Sequence, residues 1–195
     1  MRTRLNLSFA VLVCAATVSA QAPAVHPVGN APGEMKPAID RAMKAFDSLQ
    51  ATLSARLMEE MKAGGPTRAV TVCRDEAPAL TAKIAGEANL TMGRTSHKLR
   101  NGTNAPRPWV QPLLQKAAGR KASDVQAVAV DLGATIGVVR PIGMVGACTT
   151  CHGSDARRPP ALKDALAAHY PQDKAVGFDE GDFRGFFWAE VPKGR

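Results

Sequence analysis

Two cysteines and one histidine stand together as Cys148-Thr149-Thr150-Cys151-His152 in a chain of 195 residues that has only four of each type. This C-x-x-C-H spacing is the signature of covalent c-type haem attachment. Two thiols one helical turn apart add across the two vinyl groups of one porphyrin, and the adjacent imidazole is then directed at the iron. Other uses of the motif fit less well. A thioredoxin-like dithiol needs a βαβ context and a helix opening at the first cysteine. Here Gly143 and Gly146 precede the motif, and Gly153 and Pro159-Pro160 follow it, so no such helix is visible. Zinc wants four ligands, and a second Cys/His pair at finger spacing is missing. A disulfide between Cys148 and Cys151 would close a tight, strained ring. One copy of the motif implies one covalent haem c.

The start of the chain agrees with that chemistry, because c-type haem is attached after export. Arg2 and Arg4 form a basic region, residues 5–16 an apolar one, and Val18-Ser19-Ala20 a small-residue cleavage site. Residues 1–20 are therefore read as a signal peptide cut near Ala20, which makes the protein periplasmic or secreted. The apolar run is short, holds Asn6 and Ser8, and lacks a basic stop-transfer flank. Val13 stands where a lipoprotein signal wants Gly or Ala before Cys14. No later stretch approaches the ~20 apolar residues of a spanning helix, so no membrane span is expected after cleavage. Loss of Arg2 and Arg4 lowers the formal charge from +8 to +6. That excess is moderate and unclustered, which argues against a nucleic-acid partner. With 45% hydrophobic and 22% charged residues the chain is neither disordered nor collagen-like, and its length suits one domain.

Without Cys14 the cysteines number three: Cys73, Cys148 and Cys151. An odd count in an oxidising compartment leaves one thiol to be explained. The elements that must position these residues follow from hydrophobic period and breakers. Residues 21–33 read as a disordered leader, with His26 a solvated tail residue. Ile39, Met43, Phe46, Leu49, Leu53, Leu57 and Met61 recur at helical spacing over 36–62, and Gly64-Gly65-Pro66 stops that helix. Met35, Met43, Met58 and Met61 belong to it as packing residues rather than iron ligands. A second helix spans 67–85, with Pro78 a kink, Gly86 the stop, and Cys73 on the apolar face beside Val70, Ala77, Leu80 and Ile84. From spacing alone Cys73 is equally a small buried hydrophobe or a second axial ligand.

Residues 94–106 are polar and turn-rich, and 109–118 read as a short helix. Strands follow at 125–130 and 133–142 around a turn, then a short helix at 161–169 and a β-rich run at 185–191. Five of the nine aromatics fall between Phe178 and Trp188, where they either line a haem pocket or close an ordinary core. A helical first half and a strand-rich second half imply an α+β fold.

Four blocks, in order, resemble the secreted Tll-type haem-domain family. They are Cys73-Arg74-Asp75-Glu76-Ala77-Pro78, the R-T-S-x-K-x-R-N…N-x-P…W block at 94–109, Pro141-Ile142 through Cys148 to Gly153, and the closing G-D-x-R-G-x-x-x-x-x-x-P at 181–192. Only the haem motif is highly specific by itself, but together the blocks span nearly the whole exported chain. The resemblance implies a single domain over 34–195, with an antiparallel PAS-like sheet, long N-terminal helices and one c-type haem. It further implies His152 as proximal and Cys73 as distal iron ligand, which would account for the odd thiol. Three positions depart from the family pattern: Gly102 in place of a Pro, Arg107 in place of a frequent acid, and Val110 in place of a frequent Glu.

Arg94, Lys98 and Arg100 are candidate partners for haem propionates, and His97 and His169 are rival sixth ligands. A thiolate donates charge to iron and favours the ferric state, and a six-coordinate iron offers no open position to a substrate. The expected role is thus a redox sensor or low-potential electron carrier that works through a redox or signalling partner protein. No catalytic constellation is evident. The alternatives are a dithiol/disulfide oxidoreductase using Cys148 and Cys151, and a haem-free PAS-like ligand-binding module.

Overall fold

The computed structural model describes residues 23–194; the expected signal peptide and cleavage site near Ala20 lie outside them. The chain runs as strand β1 (Val25–Pro27), helix α1 (Lys36–Thr71), a π-helical turn (Val72–Glu76) and helix α2 (Ala77–Glu87). Then come β2 (Thr91–Thr95), α3 (Gln111–Ala117), β3 (Val128–Asp131), β4 (Thr135–Gly143), α4 (Thr149–His152), α5 (Pro160–His169) and β5 (Phe183–Pro192). The five strands make one antiparallel sheet in the order β1-β3-β4-β5-β2. This is the α+β, single-domain, PAS-like architecture that the sequence implies.

Both sheet faces are covered, and alternation along β4 and β5 decides which side chains meet which layer. Ile136 and Val138, with Phe187, Ala189 and Val191, pack under Ile39, Ala42, Phe46 and Leu49 of α1. Phe46 stacks on Phe187 with ring centroids 5.6 Å apart. Val139 and Phe186 face the other way, onto Val110, Leu114 and Ala117 of α3 and the turn before it. The two departures from the family pattern that carry side chains find uses on this second face. Val110 is fully buried there, and Arg107 donates from Nε and Nη2 to the Glu190 carboxylate at 2.8 Å each. Trp109 Nε1 donates to the same carboxylate at 2.8 Å, so an acid at 107 would have left Glu190 with two donors fewer.

Two expectations are corrected. Residues 25–27, read as part of a disordered leader, form β1, because pairing with Val128–Val130 satisfies their backbone groups and carries His26 into the ladder. Thr91–Thr95, whose first residues had no assignment and whose last fell in the polar block, form β2 against β5. The long N-terminal helix breaks where Gly64-Gly65-Pro66 foretells it: Gly64 is extended (φ −160°) and Gly65 is left-handed (φ 72°), and helical geometry resumes at Pro66. The second segment passes Gly86 and turns at Asn89, which takes the left-handed C-terminal role (φ 49°). Within it, Pro78 has no N–H to give. The ladder adjusts by one π-turn just upstream, where the Ala77 N–H donates to Val72 O, five residues back.

β2 approaches β5 closely at Gly185, whose missing side chain makes room for backbone. A Cβ there would stand 2.0 Å from the Thr95 carbonyl oxygen, at a φ of 157°. Gly185→Ala should therefore cost about 3 kcal/mol or more, at the upper end for overpacking because the obstacle is backbone rather than a movable side chain. A urea midpoint close to wild type would show that β2 does not need this approach.

Candidate functional site

Cys73 meets Cys148 and Cys151, distant from it in sequence, around one cavity of about 310 Å³. Cys73, Cys148, Cys151 and His152 all line it. All three thiols are free. Its walls are the later turns of the first α1 segment (Leu53, Leu57, Met61), the π-turn, Arg94 on β2, Ile142 at the end of β4, Leu166 on α5, Tyr170, Arg184 and Phe187.

Each functional side chain has a local cause for its position. Cys148 ends a 3-10 turn, and α4 is a single helical turn holding Cys151 and His152. This turn corrects the expectation of no helix at the motif, although it stops at once. Gly153 ends it, and a Cβ at that residue would stand 2.5 Å from the Thr149 carbonyl oxygen. Residues 173–178 then clamp the turn: Gly177 N–H donates to Gly153 O and Phe178 N–H to His152 O, both at 3.0 Å. His152 Nδ1 donates to Ala175 O at 2.9 Å, which fixes the tautomer and leaves the Nε2 lone pair unprotonated. Burial, with Arg100 and Arg184 nearby, holds the His152 pKa well below its ordinary value, so the ring is neutral and can act as a ligand. Burial pushes the Cys151 thiol up. Cys73 is presented from the π-turn, a helical defect often found at functional sites.

The three basic candidates separate. Arg94 lines the cavity and has no hydrogen-bond or ion-pair partner among the described residues; Cys73 and Tyr170 are its titratable neighbours. Arg100 lines the cavity but is committed, with Nε donating to Asp173 at 3.1 Å and Nη2 to Cys151 O at 2.7 Å. Lys98 is not in the cavity wall: its Nζ donates to Val176 O at 3.2 Å and lies 4.8 Å from the Phe178 ring centre. His97 and His169 do not line the cavity either; His97 stacks on Phe183, and His169 is exposed beside Arg74. Of the methionines read as packing residues, Met58 and Met61 reach the cavity wall.

Sequence reasoning missed two residues here. Arg184, pulled down to about 10 by burial and by Arg100 but still charged at neutral pH, lines the cavity and donates to Ser96 Oγ and Lys98 O. Its signal was an arginine inside an aromatic strand. Tyr170, the only tyrosine of the chain, is buried at the cavity with its pKa raised to about 12 by burial and by Cys73.

The donor set fits a flat, anion-bearing macrocycle. Among the described residues no three His, Cys, Asp or Glu side chains gather tightly enough for one metal ion; the thiols and imidazole are instead spread around a cavity. Three arginines and no carboxylate line that cavity, and its other walls are largely apolar. This suits a large aromatic group with acidic substituents.

Fold and site together define a class: a PAS-like α+β domain whose helices and sheet enclose a cavity furnished with three free thiols, one neutral imidazole and a guanidinium without a partner. The chain belongs to the Tll0287-like family, whose sequence pattern matches residues 21–192. In structure it is similar to the cyanobacterial heme-protein Tll0287, with a TM-score of 0.63 and 22% identity over 85% of this chain and 99% of that one. At that identity the likeness is one of fold. No curated protein matches the chain.

Two outcomes follow from these contacts. Arg100→Ala should destabilise the protein by about 3 kcal/mol, because the Asp173 carboxylate is only 10% exposed and would keep just the Ala175 N–H at 2.8 Å, with no cation nearer than Arg158 at 4.0 Å. An unchanged denaturant midpoint would count against the clamp. His97 has its pKa lowered by burial, Lys98 and Arg184, so the unfolded chain binds its proton more readily. Its contribution to stability is full above about pH 6.5 and is lost as pH falls through the folded value. Wild type should lose more stability than His97→Phe between pH 7.5 and 5, a window above the carboxylate range; equal losses would refute the assignment.

Proposed function

We propose that this protein is an exported mono-haem c-type protein that serves as a redox sensor or low-potential electron carrier, and is not an enzyme. The observation that carries the reading is the meeting of the C-x-x-C-H turn and the remote Cys73 on one cavity. Membership of a family whose similar structure is a heme-protein supports the haem itself. Cys148 and Cys151 would hold the group through thioether bonds, with His152 and Cys73 as its axial ligands. When bound, haem supplies a one-electron iron couple.

The residues of the chain would set the properties of that couple. The His152 Nδ1–H bond to Ala175 O keeps the ring oriented and raises its basicity as a ligand. A Cys73 thiolate is an anionic donor that favours the ferric state and lowers the potential. Arg94 offers a positive charge to a propionate. Leu53, Leu57 and Phe187 would present an apolar wall to the group. Because side chains would supply both ligands, the bound group would be suited to exchanging electrons or to giving up Cys73, and a redox or signalling partner protein would receive that change. The dithiol alternative is weakened by the four-residue length of α4, which gives Cys148 little helix dipole. Among the described residues no helix is long and apolar enough to cross a membrane. Localisation in the periplasm or outside the cell rests on the signal peptide.

Denaturing electrophoresis of protein from cells competent in c-type maturation should leave haem stain on the band; a colourless band would overturn the reading. Cys73→Ser should keep that stain, lose the thiolate-type low-spin ferric resonance, and shift the potential upward. Superimposable resonance spectra would make Cys73 a packing residue.

A further inference from the structure

A second cleft, of about 530 Å³, has Ser96, Leu99 and Arg100 in common with the cysteine cavity but is otherwise built from different residues. Its apolar wall is Leu99, Pro106, Leu114 and Ala118. Its polar lining is all donor or amide: His97, Lys174, Gln172, and Gln111 and Gln115, one turn apart on α3. No carboxylate lines it. Arg100 is neutralised by Asp173, so Lys174, without a partner among the described residues, is the free cation.

His97 sets the directional contact. Its ring lies between Phe183, stacked at 6.0 Å, and the edge-on Phe178 at 5.6 Å. Nδ1 is buried and has no hydrogen-bond partner. Burying an unpaired N–H is costly, so the unpaired position is the lone pair and the proton sits on Nε2. An N–H donor and an ammonium thus border one apolar cleft whose size is ordinary for a small-molecule site.

We propose that this cleft is a second ligand site, for a small monocarboxylate with an apolar body. The carboxylate is held by Lys174 Nζ and His97 Nε2–H, with the body against Leu114 and Pro106. The site is linked to the first cavity through Arg100, which borders both and donates to Cys151 O.

Isothermal titration of the full exported protein with benzoate and hexanoate tests this, with benzamide and hexanol as neutral counterparts. Both carboxylates should bind at least about tenfold more tightly than their counterparts, the worth of one charge-assisted hydrogen bond. Lys174→Gln, a change at an exposed side chain, should abolish that preference while leaving haem content unchanged. His97→Phe should weaken carboxylate binding by a similar factor. No heat with either carboxylate, equal binding of the neutral compounds, or full binding by Lys174→Gln would overturn the proposal. So would a loss with Arg94→Gln alone, which places the anion in the cysteine cavity. Neither Lys174 nor His97 lines that cavity. A colourless protein that binds benzoate therefore counts only against haem, and a coloured one that does not bind it counts only against this site.

Discussion

Everything at the cysteine cavity hangs on one buried guanidinium. Arg100 reaches from the loop after β2 to the Asp173 carboxylate, to the Cys151 carbonyl and, at 3.3 Å, to the Ala175 carbonyl. The Ala175 carbonyl also receives the His152 ring proton, and the Ala175 N–H donates to Asp173 at 2.8 Å. Three stretches of chain that share no secondary structure are therefore held by one closed set of hydrogen bonds. The motif turn is too short to define its own direction, because a single helical turn makes few internal bonds for the residues it fixes. Its orientation comes from outside, and a charge-assisted network in a partly dry environment is a stiff way to supply it.

The arrangement of charge around the cavity is uneven. Arg94, Arg100 and Arg184 border it, and Asp173 answers only Arg100 closely. Arg184 rests on Ser96 and a main-chain carbonyl. Arg94 has no partner among the described residues, and burial works against its charge. A fold selected only for stability would not leave a guanidinium in that position. Local violations of this kind collect where a protein is prepared for something it must bind, and an uncompensated guanidinium suits a group of negative charge.

Much of this was legible in the sequence. The helix over 36–62, its stop at Gly64-Gly65, the two central strands and the last strand all have strong periods or strong breakers, and they stand where the residues put them. β1 and β2 were not legible. Val25–Pro27 is three residues long and gains its order from a partner a hundred positions away, and Thr91–Thr95 is a short polar strand with Gly93 inside it. The same holds for the site. Cys148, Cys151 and His152 announce themselves by spacing, whereas spacing leaves Cys73 evenly balanced; only the family resemblance singles it out, and the fold puts it on the same cavity. Arg94, Lys98 and Arg100 looked alike as basic residues of one block. A strand side chain and two loop side chains take different directions, and only tertiary contacts decide among them.

The π-turn at Val72–Glu76 has a consequence for how the chain can change over generations. A turn closed five residues back holds one residue more than an α-helical ladder would. Deleting one residue there would force an ordinary ladder through Pro78, whose ring meets the carbonyl four residues back and whose nitrogen has no hydrogen to offer it. Length in this short stretch is thus tied to Pro78: replacements at Arg74 or Asp75 leave the wide turn in place, and a lost codon does not.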